Sequence, residues 1–274
     1  MSLLRCGRFD LALDRPLVMG IVNATPDSFS DGGRYLAADA AIAHARQLIA
    51  DGADILDIGG ESTRPGSVPV GTEGELARVL PVLEALRDCG RPLSVDTRHA
   101  AVMRAVLDAG ADMINDVAGF RDPGAVEAVA GRSAGLCVMH MLGEPTTMQQ
   151  APVYQDVVAE VSAYLSARVA VLRAAGVDPA RLTLDPGIGF GKNLQHNLAL
   201  LRALPELGRL GAPLLLGISR KSMIGQLTGR APADRVAGSV AAALAAVHRG
   251  AAIVRVHDVA QTCDALAVWR AIEE

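Results

Sequence analysis

Lysine is almost missing from this chain. Of the 26 Lys and Arg residues in 274, only Lys192 and Lys221 are lysines. Arginine therefore serves the surface, and a lysine kept inside a loop asks for a chemical reason. Aromatic residues make up 3% of the chain, with four phenylalanines. The four cysteines, Cys6, Cys89, Cys137 and Cys263, lie far apart and form no CxxC pair. They read as reduced, buried thiols of a cytoplasmic protein. No HxxxH or Cys/His spacing suggests zinc, and His44, His99, His196 and His248 read as surface or core filler in helical stretches. No basic run exists and the net charge is −4, which argues against a nucleic-acid surface. No apolar run reaches the ~20 residues that span a bilayer. The nearest, Val236 to Val247, is mostly alanine and is interrupted by Gly238 and Ser239. Charges in the first fourteen residues come too early for a secretory signal.

What is present is apolar. Hydrophobic residues make up 50% of the chain, enough for a large core and too many for overall disorder. Short β-rich runs alternate with longer segments of helical period. The expected strands are Leu17–Val22, Asp54–Ile58, Pro92–Val95, Asp112–Ile114, Gly135–Met139, Arg181–Leu184, Pro213–Ile218 and Ala252–Val256. Between them, Tyr35–Asp51 carries Ala38, Ile42, Ala45 and Ile49 on one helical stripe, and Tyr154–Ala175 is the longest helical pattern. Gly52, Gly90, Gly110 and Gly176 stand where helices should close in a left-handed residue. Strands such as LLLGI are apolar throughout, as in a parallel sheet covered on both faces. Eight strand–helix units in one chain predict an α/β fold, a (β/α)8 TIM barrel. Residues 4–16 predict a short N-terminal β-hairpin plugging the barrel bottom. No linker marks a second domain, so one domain is expected over residues 1–274.

The positions just after these strands are all polar. In order they are Asn23, Glu61-Ser62-Thr63-Arg64, Asp96, Asn115, His140, Asp185, Ser219-Arg220-Lys221, and Arg255 with His257. Helix capping accounts for any one of them; eight in succession are the signal, since a barrel builds its site from these loops. The first loop, residues 23–33, is long enough to act as a lid and carries Phe29. The second, residues 59–66, offers hydroxyls, amides and Arg64 to an anion. The sixth, residues 185–192, alternates three glycines around Phe190 and permits close approach to a flat ligand. Asp96, Asn115 and Asp185 supply acceptors for a heterocycle edge bearing N–H groups, and Lys221 can donate to a carbonyl beside it. Arg255 and His257 sit where barrels commonly hold phosphate. Asn23, together with substrate phosphate, would hold a hard cation such as Mg2+ through oxygen.

The segments MGIVNATPDSFSDGG (19–33), DILDIGGESTRPG (54–66), SVDTRHA (94–100) and INDVAG (114–119) resemble dihydropteroate synthases. So do VMHMLGEPTTMQ (138–149), LDPGIGFGK (184–192), GISRKS (217–222) and RVHDV (255–259). The resemblance implies a homodimeric pterin-binding barrel of folate biosynthesis. Such an enzyme joins 6-hydroxymethyl-7,8-dihydropterin pyrophosphate to p-aminobenzoate, giving 7,8-dihydropteroate and pyrophosphate with Mg2+. Carried over by position, Asp96, Asn115, Asp185 and Lys221 would hold the pterin, and Arg255 would lie against its face and reach phosphate. Asn23 would bind Mg2+, while Asn23, Thr63, Arg255 and His257 would hold pyrophosphate. Phe29, Thr63, Arg64, Pro65, Phe190 and Ser219 would frame the p-aminobenzoate site, where sulfonamides compete. Asp96, Asp185, Lys221, Arg255 and His257 would carry the catalysis. Leu142 departs from the polar residue expected in its motif, outside the expected pterin pocket.

Three other readings compete. A methyltransferase on the same pterin-binding barrel would need no pyrophosphate site, which counts Asn23, Thr63-Arg64 and Arg255/His257 against it. A non-catalytic pterin-binding relative would be expected to lack some strand-end residue. A Schiff-base aldolase using Lys221 would want that lysine inside an apolar strand, where its pKa would fall.

Overall fold

Strands too apolar for water on either face need cover on both, and here the sheet finds it by closing on itself inside a ring of helices. The structure is a computed structural model describing residues 3–24, 33–62 and 70–273. An antiparallel hairpin comes first, β1 (Leu3–Cys6) and β2 (Phe9–Ala12). There follow β3 (Leu17–Asn23), α1 (Gly33–Ala50), β4 (Ile55–Gly59), α2 (Gly71–Leu86), β5 (Leu93–Asp96), α3 (Ala100–Asp108), β6 (Met113–Asp116) and α4 (Ala125–Ala130). The second half runs β7 (Gly135–Met139), α5 (Val157–Ala174), β8 (Leu182–Asp185), α6 (Leu194–Arg202), α7 (Leu204–Leu207) and β9 (Leu214–Gly217). It ends with α8 (Ser222–Thr228), α9 (Val236–Val247), β10 (Ala251–Val256) and α10 (Val259–Glu273). Strands β3 to β10 form a closed parallel barrel in chain order, β10 pairing with β3. The expected eight-stranded barrel and hairpin are both present.

Boundaries differ from expectation for local reasons. Helix α5 begins three residues later than Tyr154, because the Asp156 carboxylate accepts hydrogen bonds from the amides of Val158 and Ala159 and caps it. On α1 the deepest positions are Ala41, Ala45 and Leu48, with Ala38, Ile42 and Ile49 flanking them. Gly52, Gly90, Gly110 and Gly176 all take positive φ, at 103°, 74°, 100° and 87°. Helix α9 packs within the chain against α8 and α10.

Side-chain alternation divides the core in two. Val18, Leu56, Val95, Ile114, Leu216 and Val254 face outward to the helices in one large cluster. Their neighbours Leu17, Met19, Ile55, Met113, Leu215 and Ile253 point into the barrel and form a second, smaller cluster. That inner cluster includes Leu4 and Cys6 of the hairpin, both fully buried. The hairpin therefore seals the bottom. Asp112 fixes it there, accepting from Nε and Nη2 of Arg8 at 2.9 Å each and from the Leu93 amide at 3.1 Å. Two residues further along each strand the inward positions become polar: Ile55 gives way to Asp57, Met113 to Asn115 and Ile253 to Arg255. An apolar floor thus carries a charged upper layer at the C-terminal mouth.

Candidate active site

Arg255 is the centre of that layer. Its Nε donates to Asp57 Oδ2 at 2.5 Å and its Nη2 donates to Asp96 Oδ2 at 2.9 Å. Asn115 Nδ2 donates to the same Asp57 oxygen at 3.0 Å. Asp57 is fully buried, while the side chains of Asp96 and Arg255 keep 15% and 21% of their surface. The cluster is therefore anchored from below and reachable from the mouth. Asp57 Oδ1 is buried and finds no hydrogen-bond partner among the described residues.

Across the mouth, Asp185 ends β8 and its Oδ1 accepts the Gly187 amide at 2.7 Å. Lys221 stands at the N-cap of α8, its ammonium 4.5 Å from the centre of the Phe190 ring and donating to the Ile188 carbonyl. Its charge lies in the field of Asp185, Arg255 and Asp96. Ser219 Oγ accepts from the His257 amide at 3.2 Å and lies 3.1 Å from its Nδ1. Asn23, exposed on the rim, pairs in register with Gly59, which in turn pairs with Asp96. Asn23, Asp96, Asn115, Asp185, Phe190, Ser219, Lys221, Arg255 and His257 therefore all come to one end of the barrel. Phe29, Thr63, Arg64 and Pro65 lie outside the described residues.

Burial sets the protonation of this layer. It pushes Asp96 up to about 7; the Arg255 charge opposes the rise and Asp57 adds to it. Burial also raises Asp185, against the pull of Lys221 and of the Gly187 amide. Lys221 is lowered to about 8 by burial, Asp185 opposing. This corrects the expectation that a lysine outside a strand would escape such a shift: its ammonium sits deep although its residue follows the strand. Burial would lower Arg255 too, but Asp57 and Asp96 hold it firmly charged. A pocket that holds several buried charges at a cost suits a ligand that matches them. Carboxylates at one side and an ammonium at the other suit a ring with a donor edge and a carbonyl.

The loops are tied from behind. Arg220 adopts φ 58°, unusual for a residue with a side chain, and Asp258 holds its guanidinium in a bidentate pair. Ser239 Oγ accepts its amide at 2.9 Å and Arg235 donates to its carbonyl at 3.0 Å, so the Ser219-Arg220-Lys221 turn is fixed on every side. His99 is not filler. Its Nδ1 meets the buried Glu75 carboxylate at 2.7 Å, and that contact raises its pKa. Glu61, Glu75 and His99 bring ligand atoms within 4.8 Å of one another, but Glu75 is taken by His99 and Glu61 faces Arg98 at 3.5 Å. His196 completes a capping box with Asn193 at the start of α6. Leu142, 37% exposed, lies against Gly191 and outside the charged layer.

Two residues without an expected role stand out, Asp57 and Lys192. Asp57 hides within an apolar strand, yet a charge there must have a partner, and that was the available signal. Lys192 is marked by its rarity and by its place at the end of the LDPGIGFGK motif. It is 3% exposed and donates to backbone carbonyls of the loop it ends.

Residues 19–257 match the family described as "Pterin binding enzyme". The chain is 59% identical to a dihydropteroate synthase of Neisseria meningitidis serogroup B, over 98% of this chain and 96% of that protein. It is 57% identical, with a TM-score of 0.91, to Burkholderia cenocepacia dihydropteroate synthase solved with 7,8-dihydropteroate, covering 99% and 96% of the two chains. The Xanthomonas albilineans enzyme solved with 4-aminobenzoic acid is 55% identical, with a TM-score of 0.93 and coverage of 99% and 98%. The chain therefore belongs to the dihydropteroate synthase family of pterin-binding enzymes.

Proposed function

We propose that this protein condenses 6-hydroxymethyl-7,8-dihydropterin pyrophosphate with p-aminobenzoate, releasing 7,8-dihydropteroate and pyrophosphate. One observation carries the reading. Asp96, Asn115, Asp185, Lys221 and Arg255 meet in one mouth, on a chain 57% identical to an enzyme solved with 7,8-dihydropteroate.

The pterin lies among Asp96, Asn115 and Asp185, which accept from its N–H edge, and Lys221, which donates to its carbonyl. The C–O bond at the exocyclic methylene breaks and its electron pair leaves with pyrophosphate, while the electron-rich ring stabilises the cation left behind. Asp96 and Asp185 favour that cation, and Arg255 and His257 receive the departing charge. The neutral arylamine of p-aminobenzoate, framed by Phe190 and Ser219 with Phe29, Thr63, Arg64 and Pro65, forms the new C–N bond and then loses a proton. Its nucleophilicity needs no strong base. Water would capture the cation, so the first two loops serve to exclude it. Asn23 offers a single neutral oxygen at the rim. That fits Mg2+ carried on pyrophosphate oxygens and not an ion held by protein alone. Such an ion supplies neutralisation of the leaving group.

The protein acts in the cytoplasm as a homodimer, a reading supported by four free cysteines and by the family. No helix among the described residues is long and apolar enough to cross a membrane. The test is a turnover assay with both substrates, with and without Mg2+. Equal amounts of dihydropteroate and pyrophosphate are expected. Pterin binding without pyrophosphate release would point instead to a methyltransferase or a non-catalytic relative. Light scattering tests the dimer.

A further inference from the structure

Both lysines of this chain donate to the same short loop, from opposite sides. Every carbonyl from Gly187 to Gly191 accepts a side-chain hydrogen bond. The Ile188 carbonyl takes Lys221 from the mouth. The Gly189 carbonyl takes Gln149 Nε2 at 2.5 Å and the Gly191 carbonyl takes the Tyr154 hydroxyl at 2.9 Å. The remaining two, of Gly187 and Phe190, both accept from Lys192 Nζ at 3.0 Å. The same Nζ lies 2.9 Å from His140 Nδ1, on the loop after β7. Burial keeps His140 neutral, lowering it to about 3, so its Nδ1 can act as acceptor. Lys192 Nζ also donates to the His140 carbonyl at 3.4 Å, so four acceptors from two loops surround it, and burial lowers its pKa to about 7.

The loop has no slack elsewhere. Gly187 takes φ 70°, and a Cβ there would collide with the His140 carbonyl oxygen, so the two loops touch through backbone. Asn197 Oδ1 accepts the Gly189 amide at 2.8 Å. A methionine would fill the Lys192 volume but remove these donations, leaving the Gly187 carbonyl with the Phe190 amide alone and the Phe190 carbonyl and His140 without theirs, so packing does not explain the residue. Its effect reaches the mouth through Phe190, whose carbonyl it holds and whose ring faces the Lys221 ammonium.

We infer that Lys192 is a positioning residue for the reaction: from behind the loop its Nζ, together with His140, fixes Phe190 and the Ile188 carbonyl where p-aminobenzoate and Lys221 need them. The inference rests on the proposed substrate sites. It is tested by steady-state kinetics on Lys192→Met, Phe190→Ala and the double variant, with folding checked by thermal melting and pterin affinity by calorimetry. The KM for p-aminobenzoate should rise about tenfold in Lys192→Met, as misplacement of a contact surface does, with pterin affinity changed much less. The double variant should be little worse than Phe190→Ala, because Lys192 acts through that ring. If Lys192→Met does not fold, Lys192→Gln, which keeps two donors, is measured in its place. An unchanged KM in a folded variant, or effects that multiply independently, overturns the inference while the functional reading stands. A wild type without turnover overturns both.

Discussion

Replacing Asp57 by asparagine tests how the charged layer is held. In the wild type, Asp57 Oδ2 accepts from Arg255 at 2.5 Å and from Asn115 at 3.0 Å with no exposure to solvent. The amide keeps the shape and removes the charge, leaving Arg255 with Asp96 as its remaining carboxylate among the described residues. Breaking a buried ion pair from one side costs about 3–5 kcal/mol. Arg255 keeps 21% of its side-chain surface, so water offsets part of the loss and about 2–4 kcal/mol remains. For a chain of this size that lowers the melting temperature by roughly 5–15 °C. The freed guanidinium also turns wholly to Asp96 and competes with a donor-bearing ring, so pterin affinity falls about tenfold or more. Thermal melting of the unliganded protein and calorimetric titration with a pterin read the two effects separately. A variant with wild-type melting and wild-type pterin affinity would refute the claim that Asp57 organises the layer.

Other variants follow from the same geometry. Asp185→Asn mispairs the N–H edge and should weaken pterin binding by about 2–4 kcal/mol; unchanged affinity by calorimetry would rule out the pairing. Leu4→Ala opens the floor of the barrel and should cost about 2–5 kcal/mol in urea unfolding with little change in kcat. Asp96 carries a pH signature. Its folded pKa of about 7 lies above the unfolded value, so between the two the folded state holds a proton that the unfolded chain has released. Its stability contribution therefore declines as pH rises through that window. Melting curves should show Asp96→Asn gaining on the wild type from pH 5 to pH 8, and a constant difference would contradict the shift. Pterin affinity should fall in the wild type as pH drops below about 7, because the ring wants the carboxylate.

Much of this is legible in the sequence. Alternation of apolar runs with helical periods yields the barrel, since each strand must be buried on both faces and each helix on one. Strand-end polar residues such as Asp96 and Asp185 announce the mouth because that is where the strands stop being apolar. What stayed hidden lies one layer down. Asp57 sits between Leu56 and Ile58 and looks like an accident in a hydrophobic strand, until the register sets it beneath Arg255, nearly two hundred positions away along the chain. Lys192 was conspicuous for rarity, but its role depends on the His140 imidazole and a carbonyl ring that only folding assembles. His99 fell in a helical pattern, and only its meeting with Glu75 gives it work. Lys221 shows that sequence position and depth are different quantities: it follows the strand, yet its ammonium reaches back into the layer.

The most direct test of the central claim is a crystal structure of this protein with 7,8-dihydropteroate bound. The pterin ring should lie in the barrel mouth with its N–H groups within about 3.2 Å of Asp96, Asn115 or Asp185 and its carbonyl facing Lys221. The benzoate should extend past Phe190. A product bound away from these side chains, or with its N–H edge turned to solvent, would contradict the account.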